Sequence, residues 1–495
     1  LVERSTEARL LVLALVGKEH LLLLGPPGTA KSELCRRLAR VGGYTYFERA
    51  LSRFSTPEEL FGPLSLSALQ MDEYRRATQG YAPCAEIVFI DEVFKASSAI
   101  LNTLLTFLNE RLFDEGAAKT RVPLLTAVAA SNELPEADDL DALFDRFLLR
   151  RLVRPVSDDG LIELLLPASM GPKESREAAV SAAVISSDFL ASISADAGRV
   201  TLPIWAALLL RDARSFVVQG SGNSESVDDR QYSAGYVSGY VSDRRLCRTA
   251  ALLRTCAAAH GRSSVTVVDC LAVLPHVLWD DPSCIQPLTE WLEMSTLPAG
   301  EKPQLSFIAA SLHRRALACF TESGAASGAL GYAPLNEQVS LLDETRALAA
   351  AALTAACEMQ GHAVALCATR EHLFLSAEDA VRLRQQLLPL AESRARELEE
   401  LAVDAVALQL ALQSGSACKA LIDEVFARQV EECETGEARV LHLDGVSGIA
   451  AASDHGFSAV QLAWGKKEAK ARLSVDDFRM WKAAKATARK REVDA

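Results

Sequence analysis

The first 155 residues of this 495-residue chain predict an α/β domain built on a parallel sheet, and the remainder predicts mostly helix. Three observations carry that reading. Short apolar runs at 21–24, 87–90, 124–129 and 148–153, with a weaker one near 44–47, alternate with stretches of helical spacing. The first run, Leu21-Leu22-Leu23-Leu24, passes directly into Gly25-Pro26-Pro27-Gly28-Thr29-Ala30-Lys31-Ser32 and then into the helix-forming stretch 33–38. Strand signals vanish between 156 and 285.

The strand, glycine-containing loop and helix start form an anion cradle. A triphosphate concentrates negative charge, so donors must already point at it. Loop N–H groups and the positive end of the following helix supply them. Gly25 and Gly28 let the backbone curl around the phosphates, Lys31 reaches the β- and γ-phosphates, and the Ser32 hydroxyl ligates Mg²⁺. Ala30 stands where the usual pattern has glycine, and its methyl group is expected to require a negative φ there.

Hydrolysis needs further groups. Ile87-Val88-Phe89-Ile90-Asp91-Glu92 is an apolar strand ending in two carboxylates, and in an open α/β sheet the carboxyl ends of strands face the ligand crevice. Asp91 is expected to hold Mg²⁺ and Glu92 to polarise the attacking water. The run 124–132 ends in Asn132, whose amide can bond the γ-phosphate and the water together. Leu143-Phe144-Asp145-Arg146-Phe147 places an arginine at a helix end, where it can act across a subunit boundary on charge developing at the transferred phosphoryl. A surface salt bridge is the alternative for Arg146, and Arg150, Arg151 and Arg154 follow too closely for spacing to choose among them.

Composition bounds the rest. Hydrophobic residues make up 49% and charged residues 24%, values of an ordinary globular protein, and the length suits about two to four domains. A net charge of −13 argues against a generic nucleic-acid binder. The eleven cysteines include no C-x-x-C pair and no His/Cys cluster at zinc-ligand spacing. They read as reduced, mostly buried residues of the cytoplasm or of a reducing organelle. The eight histidines read as packed or surface residues. No apolar run approaches a membrane span, and the start at Leu1 reads as a fragment, trimmed or processed form, which leaves targeting unread.

The expected organisation is an αβα core over 1–155, an all-α domain over 156–285 with a mobile Gly/Ser/Asp-rich loop at 219–238, a helical region over 286–437, and a small β element with a final helix over 438–495. Pro389 is expected to kink a long charged helix between 376 and 413.

The ordered set of phosphate loop, Asp-Glu strand, Ser-Asn strand end and Asp-Arg-Phe segment resembles an AAA+ ATPase. The stretch from Arg53 to Leu64, the loop with Ala30 and Ala130-Ser-Asn-Glu-Leu-Pro-Glu136 resemble its MoxR group, and within that the RavA-like proteins. The resemblance covers residues 1 to about 285. It implies that 53–85 holds an insertion in the second helix and 110–123 a hairpin, both projecting toward a central pore. It implies that 156–285 is the lid domain and that Arg244 contacts the γ-phosphate, with Arg245 as runner-up. It further implies ATP and Mg²⁺ as ligands, a homo-oligomer, usually a hexamer, and chaperone-like remodelling of a protein client, with a von Willebrand factor A domain partner. A DNA-acting or chelatase-type motor and a nucleotide-switched scaffold are the competing readings.

Overall fold

In the computed structural model the described residues are 2–71, 75–114, 119–134, 143–166, 186–220, 241–297 and 335–414, with short helical pieces between 305 and 316. They fall into two units, Leu1–Leu297 with Val364–Leu388, and Pro298–Ala363 with Pro389–Ala495. The loop expected over 219–238 has its first two residues, Gln219 and Gly220, at the end of a helix; the rest of it, the helical region beyond 414 and the β element beyond 438 lie outside the described residues.

The first unit is organised around a five-stranded parallel sheet of order β2-β3-β6-β1-β7. Its strands are β1 (Leu21–Leu24), β2 (Tyr46–Ala50), β3 (Ile87–Asp91), β6 (Thr126–Ser131) and β7 (Leu149–Leu152). A separate antiparallel pair joins β4 (Leu112–Asp114) to β5 (Lys119–Arg121), the hairpin expected over 110–123. Four leucines form β1 and all are buried, the pattern of a central strand covered on both faces. The strand β6 begins and ends two residues later than its apolar run, because pairing with β1 continues to Leu24↔Ser131. At the edge, β2 is displaced to 46–50 because it is half exposed and mixes Glu48 and Arg49 with apolar residues, which weakens the strand signal.

Helices α1 (Ser5–Gly17), α2 (Lys31–Gly42), α3 (Pro57–Phe61), α4 (Leu66–Leu69) and α5 (Ser98–Glu110) accompany the sheet. After β7 come α6 (Asp158–Leu165), α7 (Ser187–Ala197), α8 (Ile204–Gly220), α9 (Asp243–Ala259), α10 (Val267–Val273) and α11 (Ile285–Ser295). Three of these begin at a serine whose side chain accepts the backbone N–H three residues on: Ser157, Ser186 and Ser242. Among the described residues of 156–285 the expected helical character is observed, with one isolated bridge between Thr201 and Ser264. Two long helices follow, α12 (Leu335–Cys367) and α13 (Ala377–Ser414), and α13 is assigned as continuous through Pro389.

In the second unit the described residues are helical. Leu341, Leu348, Ala352, Ala355 and Met359 form one buried stripe, and Leu398, Leu401, Ala402, Ala405 and Leu408 form another. Arg315 pairs with Glu344 at 2.6 Å in the same unit.

Two buried polar groups tie the first unit together. Arg150 on β7 is fully buried and donates to the carbonyls of Phe144, Phe147 and Trp279. It shares the Asp280 carboxylate with buried Arg245. Burial pushes the Asp280 carboxyl up, but the Arg245 and Arg150 guanidiniums override it and hold the group below the ordinary range. His20, just before β1, accepts the Ala127 N–H at Nδ1 (3.1 Å), so its proton sits on Nε2 and donates to the Leu108 carbonyl (2.9 Å).

Burial pushes the His20 pKa down to about 3. The sign follows from linkage: above about pH 6.5 the ring is neutral folded or unfolded, whereas below it only the unfolded chain binds the proton. Stability is therefore expected to fall by about 1.4 kcal/mol per pH unit for this histidine as the pH drops from 6.5 toward 4. Calorimetric Tm across that range checks it, and His20→Gln is expected to flatten the slope. An equal slope in the variant contradicts the assignment.

The described cysteines are free. Cys35, Cys256 and Cys270 are buried, but Cys247, Cys357 and Cys367 are exposed, because each falls on the outward side of its helix; burial is less general than expected.

Candidate nucleotide site

The phosphate loop leaves the carboxyl end of β1. Gly25 has φ +153°, and a Cβ there would come within 2.2 Å of the Val153 carbonyl, so only glycine lets the loop pass the exit of β7. Gly28, at φ +79°, has open space around it and is needed for its left-handed backbone. Ala30 also has φ +63°, which corrects the expectation of a negative angle. The loop must turn sharply into α2 at this residue, and the left-handed conformation costs roughly 1–2 kcal/mol for a side chain with Cβ.

Side chains brace the loop from within. Thr29 Oγ1 donates to the Pro26 carbonyl (3.0 Å), and Lys31 Nζ donates to the carbonyls of Gly25 (2.7 Å) and Pro26 (3.0 Å). Arg4 reaches across to the carbonyls of Thr29 (3.1 Å) and Arg154 (2.9 Å), a support that no sequence motif announced. Burial pushes the Lys31 pKa down, and the nearby Asp91 and Glu92 carboxylates partly restore it. Lys31 is thus a buried cation held by weak carbonyl partners, ready to exchange them for phosphate oxygens. Ser32 follows in the first turn of α2, whose N–H groups lack intrahelical partners.

Adjacent strands bring the acids to this loop. The order β3-β6-β1 sets their carboxyl ends side by side, with neighbouring strands about 4.8 Å apart. Asp91 ends β3 and accepts the Glu92 N–H at 3.1 Å. Burial pushes the Asp91 carboxyl up and the Glu92 charge adds to this, against the Glu92 N–H bond and Lys31. The negative charge of Glu92 acting on the half-buried Asp91 carboxyl beside the loop is the condition a divalent cation relieves, so Ser32 and Asp91 fit Mg²⁺. Glu92 has φ +53°, a left-handed backbone unusual for this residue type. Its Oε1 accepts from Asn132 Nδ2 at 2.8 Å, and Lys95 Nζ lies 3.2 Å from Oε2. Lys31, Asp91, Glu92 and Asn132 therefore meet at one edge of the sheet.

Arg146 and Arg244 do not join them. Arg146 precedes β7, which pairs in parallel with β1 from Leu21↔Leu149. It thus stands at the amino end of the sheet, while the loop emerges at the carboxyl end, roughly 13 Å away along a four-residue strand. Arg244 Nη2 donates to Asn109 Oδ1 (2.6 Å) at the end of α5, and its charge falls on Arg146. Burial, reinforced by Arg244, pushes the Arg146 pKa down, and its Nε is buried without a hydrogen-bond partner. The runner-up Arg245 and the candidate Arg150 are both corrected by burial: each is committed to Asp280. Arg151 pairs with Glu7 at 3.1 Å.

Residues 1–194 match the family model of the MoxR domain in the MoxR-vWA-beta-propeller ternary systems, and 225–292 match the AAA lid domain. Two uncharacterised proteins of Methanocaldococcus jannaschii are similar. MJ0079 is 36% identical over 283 residues, which is 57% of this chain and 67% of that protein. MJ0812 is 35% identical over 284 residues, 57% of this chain and 69% of that protein. Structural protein ORF618 of Acidianus two-tailed virus is 32% identical over 139 residues, covering 27% and 22% of the two chains. The MoxR domain match is followed along the chain by the lid domain match, and the chain belongs to the MoxR group of AAA+ ATPases.

Proposed function

We propose that this chain hydrolyses ATP with Mg²⁺ in a homo-oligomeric ring, expected to be a hexamer, and uses the cycle to remodel a protein client in chaperone-like fashion. The observation that carries the reading is the division of the nucleotide groups between the two ends of the sheet. Gly25 to Ser32, Asp91, Glu92 and Asn132 belong to one pocket, whereas Arg146 and Arg244 lie at the opposite end of the sheet. A pocket so divided is complete only where one copy meets the next.

In that pocket the loop N–H groups and Lys31 bind the β- and γ-phosphates. Ser32 and Asp91 hold Mg²⁺, which supplies charge neutralisation on the phosphates. Glu92 accepts a proton from water as its oxygen bonds to the γ-phosphorus and the bond from that phosphorus to the ADP oxygen breaks. Asn132 steadies the Glu92 carboxylate and the water, while Arg146 and Arg244 of a neighbouring copy meet the charge on the γ-phosphoryl.

A client-facing role for the insertion over 53–85 is supported by its surface. Phe54 is 92% exposed, and Leu66, Leu69 and Met71 of the same insertion are exposed as well. A von Willebrand factor A domain protein is the proposed partner, on the strength of the systems for which the matched domain model is named. The chain purified with ATP and Mg²⁺ is expected to turn ATP over, to lose turnover on chelation of magnesium, and to sediment as a closed oligomer. A strictly monomeric chain that fails to retain labelled ATP contradicts the proposal.

A further inference from the structure

Four side chains unused by the nucleotide site converge inside the first unit. Cys256 and His260 lie on one face at the end of α9, four residues apart. Asp269 is the third residue of α10, and His372 arrives from the segment between α12 and α13. One ligand atom from each lies within 4.8 Å of all the others, and Cys256, Asp269 and His372 are buried. Cys256 Sγ is 3.1 Å from Asp269 Oδ1 and 3.8 Å from His372 Nε2, and that nitrogen is 3.1 Å from the same Oδ1. We infer that Cys256, His260, Asp269 and His372 bind a structural zinc ion.

The donor set suits that metal. One thiolate, two imidazoles and one carboxylate make a four-coordinate shell of the S, N and O types zinc takes, and the two anions balance its charge. The surrounding bonds are those that aim ligands. His260 Nδ1–H donates to the Cys256 carbonyl at 2.7 Å, which fixes the tautomer and leaves Nε2 as a lone pair. That lone pair accepts the Leu373 N–H at 2.9 Å, a bond it exchanges for the metal. Arg262 holds the Asp269 carboxylate with bonds of 2.8 and 2.6 Å, and the Thr266 N–H adds one of 2.8 Å to Oδ2. Oδ1 is thereby left facing the sulfur and the imidazole.

Without a metal the cluster is an expensive assembly of buried polar groups for so small a space. With it, binding releases the Cys256 thiol proton to solvent, moves the His372 ring proton from Nε2 to Nδ1 and converts the cluster into a staple. The staple closes a long loop, because His372 is separated by 103 residues from Asp269. This separation also explains why sequence spacing predicted no ligand constellation; only the helical Cys256-x-x-x-His260 pair is local.

The test is elemental analysis of the full chain, purified without a polyhistidine tag from zinc-supplemented medium. About one zinc per chain is expected. Cys256→Ser and His372→Asn are each expected to lose it, while His362→Asn, a histidine of the other unit, keeps it. Should either variant fail to fold, the wild type still decides. Chelation is expected to lower its Tm and zinc to restore it, and Co²⁺ added to the chelated protein is expected to give the intense visible bands of a four-coordinate thiolate complex. Absence of both zinc and a cobalt-thiolate spectrum overturns the inference, as does zinc that persists in folded Cys256→Ser and His372→Asn.

Discussion

Glu92→Gln is expected to lower steady-state ATP turnover by about 10²–10⁴-fold, the usual worth of a positioned general base, and to leave ATP bound. Glutamine keeps the size of the side chain and an oxygen that can still accept the Asn132 amide bond of 2.8 Å. What it loses is the ability to take the proton of the attacking water. The loss should therefore fall on kcat, with KM little changed, because the phosphates are bound by the loop and Lys31 rather than by Glu92. The left-handed backbone at Glu92, φ +53°, strengthens the case, since strain of this kind persists where the surrounding structure demands a particular side-chain direction. Turnover equal to wild type removes Glu92 from the chemistry. Loss of ATP binding together with turnover assigns it instead to holding the loop.

Arg146→Ala is expected to cost about 10³–10⁵ in turnover within intact oligomers, the range found when an arginine supplied in trans is removed from phosphoryl transfer. On the proposed mechanism the effect is intermolecular, because Arg146 stands a strand's length from its own phosphate loop. Mixing decides the point. Arg146→Ala subunits retain a working loop and Lys31→Ala subunits retain a working arginine, so mixed rings are expected to regain activity that neither parent has. Mixed rings that stay inactive place the arginine in its own subunit's structure, where its 3.8 Å approach to Asp145 is the visible contact.

The parts of the candidate nucleotide site could be read from the sequence because they are short and local. A loop between a strand and a helix, two acids at a strand's end and an asparagine after another strand each occupy a few consecutive residues, so local backbone preference and apolar patterning mark them. The expectation of negative φ at Ala30 failed at the same scale. The motif's glycine signals a left-handed turn, and this chain keeps the turn while carrying a methyl group there. The edge strand β2 was placed two residues early because half-exposed edges mix polar and apolar residues.

The amino-acid sequence by itself determined the α/β core, the triphosphate loop and the acids that face it, since these depend on neighbours along the chain. Tertiary structure alone set the surroundings of the arginines: packing buried Arg150 and Arg245 on Asp280 and left Arg146 and Arg244 together at the far end of the sheet. It alone also brought His372 to Cys256 and Asp269. Burial and charge pairing are settled by residues distant in sequence, and periodicity carries no information about which of them will meet.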